Sequence, residues 1–437
     1  WTSIATNLPQ NGSVKTFAED FVNENLLFVG TEFGFFVSNN GGKKWTRWTA
    51  GLPPIAIKDI AIQKREQDIA LATFGRGFVI LDNYAPLREA TPENLSKEAY
   101  LFSVKPAKMF IPRSPLGGRD KSSKGASYFN APNPASGAVI RFHLKDEFKT
   151  IKETRQAKEG KAKNNYYPSA DSMRIEAREE QVFVLLVITD EKGREVRRLK
   201  SAAKKGMGKA EWDLRYASTN PLTQGQRDLS DPYTEPDYGP FVAPGNYQVS
   251  LYLVKDAEMK PLGNKQTISV DYLVKPTLTS FPAEERAKIV DEIAETRRNI
   301  SAAAEYINDT SKGLQSAKNA IFSMGVDVGL MKEIADIQQS IEKMNTRLNG
   351  DGLLASKEFE TAPGIYDRIE TAVYGMVYSS NGPTITHVNA FRDGKKVFTE
   401  WVAELKQVHN RIQTLNTKLD AAKVPYTPGR TFFFDVK

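Results

Sequence analysis

The strongest constraint on the fold is a repeat at the start of the chain. Trp1-Thr2 followed by Leu8-Pro9 recurs as Trp45-Thr46 followed by Leu52-Pro53, a shift of 44 residues. A second echo, shifted by about 42, links Thr31-Glu32-Phe33-Gly34-Phe35 to Thr73-Phe74-Gly75-Arg76-Gly77-Phe78. Short apolar runs bounded by Gly, Asn or Pro lie within the repeat and read as strands, at 26–30, 35–38, 57–62, 69–73 and 78–81. Periods of about 40–45 residues rich in short strands are the signature of propeller blades, and at least four blades are needed to close a ring. Residues 1–90 hold about two blades plus one strand. The expected partner is therefore an upstream propeller segment, in the same or another polypeptide.

Between two of these strands runs Ser38-Asn39-Asn40-Gly41-Gly42-Lys43-Lys44-Trp45. It resembles the Asp-box hairpin, Ser-x-Asp-x-Gly-x-Thr-Trp, with Asn40 in place of Asp and Lys44 in place of Thr. The logic of that box is a tight turn. A short polar side chain caps backbone amides, glycine takes a positive φ, and the tryptophan packs beneath. Ser38, Asn40, Gly42 and Trp45 are thus expected to be structural, and Trp1 falls on the box tryptophan of the preceding repeat. With Gly75 to Asn83 and Pro86-Leu87-Arg88 added, residues 1–90 resemble the last blades of a sortilin-type, Asp-box (BNR) propeller. Such propellers occur in large secreted bacterial proteins often labelled glycosyl hydrolase. The resemblance implies a secreted, periplasmic or cell-surface protein, with outer-membrane association as one form of that.

Residues 91–136 are rich in Pro, Ser, Lys and Gly and read as a linker. Over 137–278 short strands return. Ile140, Phe142 and Leu144 alternate with Arg141 and His143, which puts His143 on a solvated face. Runs at 182–189, 194–199, 209–215 and 243–253 follow, with turns at Asp190 to Gly193 and Pro244-Gly245. The pattern predicts a β-sandwich. "Glu-Trp-Asp-Leu-Arg" and "Ala-Pro-Gly-Asn-Tyr" within it look like the immunoglobulin-like domain of flagellar hook-cap type.

The last third changes period. Ile289, Ile293 and Ile300 form one helical stripe. Leu330, Ile334, Ile337, Ile341, Met344 and Leu348 form a second, and Ile365, Ile369, Ala372 and Met376 a third. Phe398, Trp401, Leu405, Val408, Ile412, Leu415 and Leu419 form the longest. They predict an antiparallel helical bundle over 281–424, with Ser280 as first N-cap, Gly350 as a C-cap, and a tail at 425–437. His409 lies off its stripe and reads as exposed, and His387 has no visible partner.

Chemistry is sparse. The chain has no cysteine and three histidines, which excludes thiolate chemistry and leaves little for a histidine-rich metal site. Gly206-Met207-Gly208 lacks the context of a phosphate loop. Asp228, Asp231, Glu235 and Asp237 are oxygen donors that could hold Ca²⁺, although their spacing fits no EF-hand. No other cofactor is expected. Sialidase-like propellers draw their carboxylates and arginines from several blades, and here Asp59, Glu32, Arg76 and Asp82 are the nearest counterparts. Arg76 and Glu32 are the axial or ligand candidates, with a blade-edge ion pair the plainer role for Arg76. The net charge of +7 is concentrated in 141–215, which carries +6 of it. Aromatic interleaving of the kind that stacks bases is absent there, so nucleic acid is not the expected partner.

The resulting expectation is a multidomain protein, β then α: partial propeller, immunoglobulin-like sandwich, helical bundle. Its role would be protein or glycan binding and scaffolding, with no chemistry in this chain. The alternatives are a glycoside hydrolase whose site lies mostly upstream, and a subunit of an outer-membrane or secretion assembly.

Overall fold

The computed structural model describes residues 2–112, 131, 133–162, 168–221 and 237–430. The chain is β-rich first and α-helical last. It divides into two compact units. The first comprises 1–108, 125–213 and 245–271. The second comprises 109–124, 214–244 and 272–437.

The first unit begins with β1 (Val14–Glu19), β2 (Leu27–Thr31), β3 (Gly34–Ser38) and β4 (Thr46–Trp48), an antiparallel meander in that order. A second meander follows: β5 (Ile57–Gln63), β6 (Asp68–Thr73) and β7 (Phe78–Leu81). The two share one register. Phe17 faces Val29, which faces Phe36, as Ile60 faces Leu71, which faces Val79. Each first strand slips by one residue near its start, at Val14/Thr16 and at Ile57/Asp59. The 44-residue echo is therefore a repeat of structure down to its bulges. β1 lies beside β5. A Cβ on Gly30 would sit 2.6 Å from Thr16 Cγ2 and 2.8 Å from Ile57 Cγ2, so only glycine admits this approach.

A short helix α1 (Pro92–Ser96) and strands β8 (Ala99–Leu101) and β9 (Ala107–Met109) occupy the segment read as linker. That reading is corrected up to residue 112. Three-residue strands are too short for any period to show. The remaining strands are β10 (Ala138–Leu144), β11 (Phe183–Thr189), β12 (Glu195–Ala202), β13 (Gly206–Trp212), β14 (Gly245–Lys255) and β15 (Glu258–Tyr272). They form a three-stranded sheet, β13-β10-β8, and a five-stranded one, β12-β11-β14-β15-β9. Trp212 of one meets Tyr247 of the other edge-on, ring centroids 5.1 Å apart. Gly208 lies opposite Phe142 and leaves room for its ring. His143 is half-buried, with Nδ1 out of water, and burial pushes its pKa down, helped by Lys205. Helices α2 (Ile151–Ala162) and α3 (Ala170–Arg178) intervene between β10 and β11. Arg155 joins them, bridging Glu176 at 2.6 Å and Glu159 at 2.8 Å. Much of the basic excess is paired in this way, as Arg198 is to Glu195 and Lys209 to Glu211.

The second unit holds α4 (Ala283–Met324), α5 (Val328–Asn349), α6 (Gly352–Ala355), α7 (Ile365–Val377) and α8 (Ile385–Ala421). α4 packs on α5, α5 on α8 and α7 on α8. Ile289, Ile293, Ile300, Ile334, Ile337, Trp401 and Leu415 are buried, as their stripes require. Gly350 caps α5, whereas the first cap is Pro282 rather than Ser280. Proline lacks an N–H and has a fixed φ, so it sits readily where a helix begins. His409 is half-buried against Tyr306, 2.7 Å from its hydroxyl, and His387 closes a capping box with Thr384. The C-terminal segment folds back as far as Arg430, which pairs with Asp420.

Segment 214–244 belongs with these helices, so the stretch expected as a sandwich over 137–278 is shared between units. Arginines hold it there. Arg215 donates to the Gly239 and Val377 carbonyls at 2.8 and 2.7 Å, the latter ending α7. Arg286 donates to Val242 and Asn381 carbonyls at 3.1 and 2.5 Å. Arg297 reaches the Thr219 hydroxyl at 2.8 Å and Glu370 at 2.8 Å.

Candidate functional site

The hairpin between β3 and β4 closes by its own side chains. Ser38 Oγ donates to Asn40 Oδ1 at 2.9 Å and accepts from Gly42 N at 3.0 Å. Asn40 Oδ1 also accepts from Lys44 N at 2.9 Å. Gly41 and Gly42 take φ of 68° and 80°, where a Cβ would be strained. Trp45 is buried against Leu27, Val29, Phe36 and Leu8, and its Nε1 donates to the Ile4 carbonyl at 2.7 Å. These residues shape the turn. Trp1 lies outside the described residues.

A buried carboxylate ties the two meanders together. Asp20, 2% exposed, accepts from Arg88 Nε and Nη2 at 2.8 Å each, from the Tyr84 hydroxyl at 2.5 Å, and from the Asn23 amide at 2.8 Å. Burial pushes its carboxyl up, but the bonds from Arg88, Tyr84 and Asn23 outweigh that and hold it below the usual carboxylate range. Burial and Asp20 raise the Tyr84 hydroxyl. No sequence period links Asp20 to residues 64 and 68 positions away.

The two meanders stack face to face. Ala18, Phe28, Phe35 and Val37 of the first pack on Ile60, Ile69, Leu71 and Val79 of the second, with Leu52 between them. Directly opposed residues share a face. The outer face of the second meander therefore carries Asp59, Ala72 and Phe78 in one row and Ala61, Ala70 and Ile80 in the next. By register these match Thr16, Gly30 and Phe35, and Ala18, Phe28 and Val37, of the first. Phe28 and Phe35 are 0% and 1% exposed, while Phe78 and Ile80 are 77% and 53% exposed. This open apolar face is the candidate site. Its sequence signal was present: β6 and β7 are apolar at nearly every position, the pattern of strands covered on both sides.

Of the polar candidates Asp59 alone falls on this face, opposite Ala72, and the others are not gathered with it into one constellation. Glu32, in the β2–β3 turn, is paired to Lys15 at 2.8 Å, and that hydrogen bond holds its carboxyl below the usual range. Asp59 accepts from Thr16 Oγ1 at 3.3 Å and from Ile60 N at 2.9 Å. The Asp82 carbonyl accepts from Arg141 at 3.2 Å. Arg76 is exposed between Gly75 and Gly77, at φ of 82° and 68°, and makes no ion pair among the described residues. Of the Ca²⁺ candidates, Asp228, Asp231 and Glu235 lie outside the described residues, and Asp237 accepts from Asn220. No group of three or more potential metal ligands occurs among the described residues. No helix among them is long and apolar enough to cross a membrane.

No protein-family model matches the chain, and no curated protein matches it. Among solved structures it is similar to the extracellular domain of a one-component system from B. thetaiotaomicron, at 9% identity and a TM-score of 0.14. The match covers 60% of this chain and 26% of that one, so the chain spans about a quarter of its length.

Proposed function

We propose that this chain is a binding and scaffold module of a secreted or cell-surface protein. Residues 1–90 are the last blades of an Asp-box propeller, the sheets over 99–272 an immunoglobulin-like sandwich, and the helices a bundle. Further sheets of the same repeat, in the same or another polypeptide, complete the ring, whose surfaces take a protein or glycan ligand. The observation that carries this reading is the outer face of the second meander. It repeats the residues buried inside the first stack, yet leaves Phe78 and Ile80 exposed. Exposed apolar patches of this kind mark interaction surfaces.

The nearest counterparts of hydrolase residues, Glu32, Asp59 and Arg76, are engaged separately or stand alone in solvent. Glycosidases need two carboxyls roughly 5–10 Å apart across a cleft. The test is a glycan array and calorimetry on the chain, run beside a panel of aryl glycosides. Saturable binding without turnover is expected. Turnover that Glu32→Gln or Asp59→Asn abolishes would establish the glycoside hydrolase instead, and absence of saturable binding would sink the binding reading.

A further inference from the structure

We infer that the helical unit holds a site for one neutral sugar unit, in a cavity between α4 and α8 that is closed by the strap following α8, residues 422–430. The inference goes beyond the binding reading of the propeller face and does not rest on it.

The cavity measures about 150 Å³. A cavity of roughly that volume takes up a molecule built on one six-membered ring, such as benzene. Its floor is aliphatic: Leu314 and Ala317 of α4, and Ile412 and Leu419 of α8, none more than 6% exposed. Tyr306 supplies an aromatic wall, and its hydroxyl, 2.7 Å from His409 Nδ1, holds the ring in place. Gln413, Pro428 and Gly429 on the rim are exposed, so the mouth opens to solvent.

The strap is built to close. Arg430 Nη1 donates to the Val424 and Pro425 carbonyls at 3.0 and 2.6 Å, and the guanidinium pairs with Asp420 near the end of α8. A Cβ on Gly313 would sit 2.4 Å from the Pro428 carbonyl oxygen. Glycine weakens a helix interior, and at this position in α4 it is what admits the strap.

The hydrogen-bonding groups select the ligand. Thr310, Gln413, Asn416 and Thr427 line the cavity with two hydroxyls and two amides. None of these four side chains makes a hydrogen bond among the described residues. Thr427 is only 6% exposed, and a buried hydroxyl without a partner marks a place for one. Hydroxyls and amides both donate and accept. The charges at the cavity are already met, since Arg430 pairs with Asp420 and Asp309 lies 3.6 Å from Lys312. The complement is an uncharged ring, with one C–H face for the aliphatic floor and hydroxyls around its edge that donate and accept in turn. A neutral pyranose has that form. Two sources share this chemistry: a free monosaccharide and the terminal unit of a glycan chain.

The test is saturation-transfer NMR and calorimetry on the full chain, with glucose, galactose, mannose, fucose and xylose and the methyl glycosides of each. At least one is expected to bind saturably, with a Kd on the order of 1 mM. Equal binding of its methyl glycoside identifies the end unit of a glycan, and binding of the free sugar alone identifies a monosaccharide. Thr427→Val and Asn416→Leu remove hydrogen-bonding groups at nearly constant volume. Each is expected to weaken binding about tenfold with the urea midpoint unchanged, which separates a lost contact from a lost fold. Phe78→Glu should leave the affinity as it is. No saturable binding by any of these sugars, or an affinity that neither cavity variant moves, overturns the inference. Binding lost to Phe78→Glu but kept in Thr427→Val also overturns it, and leaves the propeller-face reading standing. The reverse pattern supports the cavity and counts against that face.

Discussion

Asp20 is a carboxylate removed from water and ringed by donors that come from both ends of the paired meanders. Its pKa is lower in the fold than in the unfolded chain, so the stability it confers is present above about pH 4 and is lost as pH falls through the folded value. Asp20→Asn keeps the shape but leaves Arg88 without its counter-charge in a mostly buried position. It is expected to cost about 3 kcal/mol at pH 7, read by urea unfolding. The gap to the native chain should shrink at pH 3, and an unchanged gap would show that the charge is not what matters. The contrast with Ser38, Asn40, Gly42 and Trp45 shows what a sequence exposes at this scale. Those four act within a span of eight residues, so spacing alone reveals the turn. Asp20 acts across more than sixty, and a lone Asp before Phe21 carries no mark of its partner.

Elements were legible in proportion to the contrast between their faces. The long helices bury one stripe each and show it. β1 did not show itself: in Val14-Lys15-Thr16-Phe17-Ala18-Glu19 the apolar residues fall on both faces, and two of them are exposed. α2 and α3 were masked by charge, since none of their described side chains is buried deeply enough to demand an apolar stripe. Helix pairing adds a test. Gly375 of α7 faces the ring of His387 on α8, where an added Cβ would collide with it. In an exposed helix interior Gly→Ala gains about 1 kcal/mol. Here Gly375→Ala is expected to lower the melting temperature, because the imidazole must leave its contact and its cap on Thr384. A rise in melting temperature would mean that the two helices have slack between them.

At the scale of the whole molecule, the order β then α was readable, but the partition of the chain was not. The sequence suggests consecutive domains, whereas 214–244 leaves the strands that flank it and joins helices that come later. Its anchors are arginines bonded mostly to backbone carbonyls, a contact that has no side-chain pattern to read. Leu214, Tyr216, Phe241 and Val242 are buried in the intact chain. Ending the chain at residue 280 removes the helical partners and is expected to cut the soluble yield sharply and raise dye binding to apolar surface. A soluble product with native-like strand signals would show that the segment needs no helices. The same interleaving puts a clock on the molecule. Arg215 leaves the ribosome 162 residues ahead of the Val377 carbonyl it must find. At roughly 5–20 residues per second that is a wait of about 8–30 s. The first meanders have time to settle as each repeat emerges, but the strands after them must idle with the apolar residues of a loop, Leu214, Tyr216, Phe241 and Val242, held open until the last helices arrive. In the cell, that loop would be the part of the nascent chain most in need of a chaperone.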